Sequence, residues 1–211
     1  MIFGLGNSLQ AVSFHYDLDV VYTGATPGET PPWLRATFTD NASDGVSPGT
    51  VKLTLEALNL APGEFVKNWW FDISSEVKLE GLMITSPTVA GSFNVPTLGD
   101  AANSGAGYRF DFSFDYEKQP RFDDGDIFSM VLVNDAQNLT ALDFFLPNAT
   151  GNTVGPLYTA AQINGIDGGY SAHIGDTPPS LPDGAPGLVG CLTLLALLVG
   201  KQLGFRRNAN C

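Results

Sequence analysis

The stretch YRFDFSFDYE, residues 108–117, limits the fold more than any other part of the chain. Phe110, Phe112, Phe114 and Tyr116 alternate with Asp111, Ser113 and Asp115. Side chains of a strand point to opposite faces in turn, so this order puts four rings on one face and polar groups on the other. A half-buried antiparallel strand requires that pattern. The same period runs through FHYDLDVVY (14–22), where Phe14, Tyr16, Leu18 and Val20 oppose His15, Asp17 and Asp19.

Further strands are expected at 34–39, 50–58, 64–73, 77–84, 126–134 and 142–146. Between them lie TPGETPP, NASDGVSPG, LAPG, GDAANSGAG, DDGD and NATGNTVGP, rich in the residues that turns select. NDAQNLTALDFF has room for one helical turn, and no long helical period or internal repeat occurs in the body. The expected fold is all-β, an antiparallel β-sandwich or jelly roll over 14–175. It is followed by a Pro/Gly linker (176–187) and a single C-terminal transmembrane helix.

Charge excludes some partners. The chain has 211 residues and a formal net charge of −12. Lys201, Arg206 and Arg207 lie in the last 31 residues, which leaves 7 basic against 21 acidic residues over 1–180. Such a body repels nucleic acid, so no DNA or RNA partner is expected. The plain reading of the acidity is solubility. Both cysteines, Cys191 and Cys211, lie outside the body, which therefore has no disulfide, thiol nucleophile or Cys-ligated zinc. No cofactor is expected.

Three places invite a chemical reading. In NWWFD, Trp69 belongs on the face of Phe65, Phe71 and Ile73, and Trp70 on that of Glu64, Val66, Asn68 and Asp72. Trp70 with Asn68 and Asp72 makes a candidate sugar-stacking surface, against the plainer reading that a loop covers the ring. Trp33 reads as a plug at one end of the core. Asp123, Asp124 and Asp126 around Gly125 are a weak Ca²⁺ candidate, because a twelve-residue ligand loop with its distant Glu is missing; the plain reading is a turn. No Gly-x-Ser-x-Gly, His-Glu-x-x-His or phosphate loop occurs, so no catalytic residue is assigned. A carboxylate pair for sugar hydrolysis stays open among 22 acids. Asn-x-Ser/Thr triplets at 41–43, 138–140 and 148–150 read as polar loops.

The C-terminus has a different character. Residues 188–200 carry no charge, and 186–205 would make a helix of about 30 Å, the thickness of a hydrocarbon core. Its apolar residues cover every face, Lys201 can snorkel, and Arg206 and Arg207 belong on the inner side. The expected span is 188–205, with 206–211 a basic cytoplasmic tip and the body outside. Residues 1–13 lack a basic n-region and a full apolar core, yet AVS (11–13) has the form of a cleavage site. They read as the remnant of a truncated signal peptide.

Leu181, Pro182, Asp183 and Gly184, followed by the apolar run and the Arg pair, resemble the PEP-CTERM class of sorting signals in its Val-Pro-Asp-Ser/Gly-Gly variant. Leu181 stands where Val is usual, and Lys201 interrupts the run. The resemblance implies recognition of the tail by an exosortase, a membrane protease-transpeptidase of bacteria. It also implies transient anchoring in the inner membrane and release to the surface or matrix. YTGATP…PPWLRATF (22–38), GTVKLTLEALNL (49–60), EFVKNWWFDI (64–73) and YTAAQINGIDGG (158–169) are similar to exosortase-linked secreted proteins with a β-rich domain. The expected role is structural or adhesive, in contact with exopolysaccharide. A carbohydrate-binding module is the alternative and a polysaccharide-acting hydrolase the third reading.

Overall fold

The computed structural model describes residues 11–148, 150–151 and 153–176, the side chains of 100–103 aside. The expected span 188–205, the motif 181–184, Lys201, Arg206, Arg207 and residues 1–10 lie outside the described residues. Among the described residues no helix is long and apolar enough to cross a membrane.

Ten strands follow one another: β1 (Ser13–Gly24), β2 (Leu34–Thr39), β3 (Val51–Ala57), β4 (Phe65–Phe71), β5 (Leu82–Ala90), β6 (Thr97–Asn103), β7 (Arg109–Asp115), β8 (Ile127–Asn134), β9 (Thr159–Ile166) and β10 (Tyr170–Asp176). All pairings are antiparallel, in the order β5-β8-β3-β2-β1-β10-β9-β4-β7-β6. The expectation of an antiparallel all-β fold holds. The expectation of two facing sheets does not, because every strand belongs to one sheet that curls into a nearly closed barrel. Phe38 of β2 meets Phe71 of β4 at 5.5 Å across the interior, although three strands separate β2 and β4 in the sheet order.

Aromatic side chains fill that interior. Tyr16, Phe38, Trp69, Phe71, Phe112, Phe114 and Phe128 are all fully buried. Leu53, Leu55, Met130, Leu132, Ile163 and Ile174 complete the same cluster. Rings at centroid spacings of 4.8–6.4 Å contribute attraction beyond area burial. Trp33 is buried in this core, its Nε1 donating to the Glu29 carbonyl at 2.7 Å.

Residues 142–146 do not form the expected strand. Ala141–Phe144 is a 3₁₀ turn, because Thr140 and Asp143 make a capping box that satisfies both ends of its first turn. The turn drops Phe144 onto Phe38 at 4.8 Å, and the Tyr16 hydroxyl donates to the Phe144 carbonyl at 2.9 Å. Within 77–84, a second 3₁₀ turn at Leu79–Gly81 precedes β5. Residues 99–103, expected as a turn, belong to β6.

Candidate functional site

A bulge decides which residues of β4 face which way. Against β9, Val66 pairs with Ile163 and Asn68 with Gln162, so Lys67 is an extra residue. The bulge inverts the expected alternation up to that point. Val66 joins Trp69 in the barrel interior, while Phe65 lies under the Arg121 guanidinium at 4.4 Å. Beyond the bulge the expected order holds. Trp69, Ala161 and Phe114 are core residues, and Trp70 turns to the other side of the sheet.

Trp70 is 3 % exposed. It packs in a second cluster with Tyr22, Tyr108, Phe110, Leu157 and Ala160, and the His173 ring stacks on it at 5.8 Å and 23°. The Tyr22 hydroxyl donates to the Ser104 carbonyl at 2.8 Å, and the Tyr108 hydroxyl to the Gly155 carbonyl, which ties the covering loops down. Burial pushes the His173 imidazole below its usual range. Asn68 donates to Asp115, and Asp72 accepts from Asn148 at 3.3 Å. Asn68 and Asp72 therefore have their side chains engaged within the fold, and the Trp70 ring, its indole N–H buried without a hydrogen-bond partner, has no open face for stacking.

Two of the three aspartates of the 121–128 turn accept from backbone N–H groups. Asp124 Oδ1 accepts from the Leu60 N–H at 3.0 Å, and Asp126 Oδ2 from the Asp123 N–H at 2.9 Å. Gly125 has φ +81°, where a side chain would be strained, and its N–H donates to the Ala57 carbonyl. Among the described residues no three His, Cys, Asp or Glu side chains are grouped to hold a metal ion. Asp123 and Asp124 line an acidic groove of about 420 Å³ with Glu29, Glu64 and Asn59. Both Glu64 oxygens are engaged, by the N–H groups of Gly28 at 2.8 Å and Ala61 at 2.9 Å. Asn148, expected in a polar loop, is buried with its amide bonded to Asp72 and the Arg109 carbonyl.

The structure pairs two carboxylates that the sequence did not single out together. Asp111 Oδ2 accepts from the Ile73 N–H at 3.0 Å, and Asp72 Oδ1 from the Asp111 N–H at 3.2 Å. Burial, and then the neighbouring Asp111 charge, push the Asp72 carboxyl up to about 7. A carboxyl raised in this way keeps its proton closer to neutrality than an ordinary aspartate. Asp111 borders a cleft of about 210 Å³ between the two edge strands, lined also by Leu79, Glu80, Leu82, Leu98, Gly99 and Phe112. The alternating pattern of 108–117 marked Asp111 as outward-facing. Its approach to Asp72 depends on the β4–β7 register, which local sequence does not reveal.

No protein-family model, curated protein or solved structure matches this chain.

Proposed function

We propose that the chain is an exported cell-surface or extracellular-matrix protein of structural or adhesive character, delivered by an exosortase-type sorting signal at its C-terminus. The observation that carries this reading is the order of the tail: Leu181-Pro182-Asp183-Gly184, an apolar run long enough to span a bilayer, then Arg206 and Arg207. In this reading residues 188–205 hold the chain in the inner membrane until the protease acts. The body is a durable passenger. Its rings pack the barrel interior, which suits a scaffold, and the covered Trp70 ring favours a structural role over a sugar-binding one.

Fractionation of cells producing the parent chain or a Pro182→Ala/Asp183→Ala variant tests the proposal. The parent is expected in the surface and medium fractions, and the variant retained at the membrane. Identical distribution of the two would remove the sorting motif from the explanation.

A further inference from the structure

Asp176 closes β10 with a carboxyl group 1 % exposed. One oxygen, Oδ1, accepts from the Tyr158 N–H at 2.7 Å and the Thr159 N–H at 2.9 Å, where the chain enters β9. The other, Oδ2, is buried without a hydrogen-bond partner. Among the described residues, the titratable groups that act on it are Asp19 and Tyr16 from β1 and Tyr158 from the entry to β9, and Asp72 acts on the same Tyr16. All are acids or phenols. A buried carboxylate with one oxygen unpaired, and no basic partner among the described residues, is costly, whereas a neutral carboxyl in the same place costs less.

We propose that Asp176 is a proton-operated clamp between the end of β10 and the start of β9, shut when the carboxyl is neutral and opened to water when it ionises. The inference concerns the barrel alone and is independent of the sorting reading. Three backbone donors, the N–H groups of Thr159, Tyr158 and Asp176 itself, favour the charged form, but burial outweighs them and lifts the group to about 7. Once that corner opens, the carboxyl returns to its ordinary value of about 4. Between these limits the closed form keeps its proton and the open form loses it. Closure is therefore strongest below pH ~4 and weakens as pH rises toward ~7, which favours opening roughly 100-fold between pH 5 and pH 8.

Amide hydrogen exchange of the full chain reads the clamp directly. Protection of the Tyr158 and Thr159 amides, corrected for intrinsic rates, is expected to fall roughly 100-fold from pH 5 to pH 8. Asp176→Asn should abolish the dependence at both amides. Equal protection of the two amides at both pH values, or an unchanged fall in Asp176→Asn, would each overturn the proposal. Should that variant not fold, the Asp176 carboxyl carbon shift in the parent decides. A titration midpoint near 7 upholds the clamp, and one near the ordinary value of about 4 refutes it.

Discussion

Thr159 sits where two tryptophans meet the β9 entry, and replacing it with valine isolates one hydroxyl at nearly constant shape. Its Oγ1 accepts from the Trp69 indole N–H at 2.9 Å and donates to the Trp70 carbonyl at 2.8 Å. Thr159 and Trp69 are both fully buried, so water cannot replace the lost partner. An orphaned buried donor costs about 1–3 kcal/mol, and the lost bond to the carbonyl adds about 1 kcal/mol. Thr159→Val is therefore expected to lose about 2–4 kcal/mol, read as a lower urea midpoint at unchanged slope. A double-mutant cycle with Trp69→Phe separates the two contributions, because phenylalanine removes the orphaned donor together with its partner. The valine substitution should cost about 1–3 kcal/mol less on the phenylalanine background than on the parent. A loss below about 0.5 kcal/mol on the parent background, or simple additivity in the cycle, would refute the claim that this hydroxyl satisfies Trp69.

Two further outcomes follow from the same geometry. Asp72, raised toward neutrality, holds its proton more tightly in the folded than in the unfolded chain, so its contribution is complete below pH ~4 and is lost as pH rises through ~7. The urea midpoint should therefore decline from pH 5 to pH 8 and decline less in Asp72→Asn; a rising midpoint in the parent contradicts the sign. Gly165 has φ +82°, and a Cβ there would lie 2.1 Å from the Gly63 carbonyl oxygen, whereas Gly45 has φ +76° and open space around it. Gly45→Ala should cost about 1 kcal/mol and Gly165→Ala clearly more, compared by melting temperature; equal losses would mean the backbone at 63 yields freely.

Alternation made most of the barrel legible, since the face of Phe112 and Phe114 is fixed by their own neighbours. What escaped was whatever depends on distant chain. The bulge at Lys67 carries no glycine or proline to announce it, yet it exchanges the roles of Phe65 and Val66. Strand β6 contains Gly99-Asp100-Ala101-Ala102-Asn103, a turn-like composition held extended by pairing with β7. Strands β9 and β10 present Ala160, Ala161, Ala172 and Gly175, small residues with little periodic signal that fit beneath larger neighbours. The site was less legible still. Trp70 is covered by Tyr22, Tyr108 and Leu157, and Asp72 meets Asp111 and Asn148, all contacts between remote positions. By contrast, the capping box at Thr140 and Asp143 was open to view in a stretch that also had the apolar content of a strand. Packing of Phe144 and Phe145 served the turn equally well.

Why the barrel stops short of a complete ladder follows from its edges. Nine successive antiparallel pairings leave β5 and β6 running in opposite directions, so the two edges could in principle bond to each other. On β5, however, register slips between Thr85 and Thr88, Ser86 has φ +49°, and Pro87 offers no N–H. These features spoil the row of donors that a neighbouring strand needs. The same devices that keep β5 from zipping onto β6 also guard the exposed edge against pairing with another chain. The cleft between Leu82 and Leu98 is thus a consequence of edge protection, and Phe112, Leu79 and Leu98 line it with apolar surface where ladder bonds are missing.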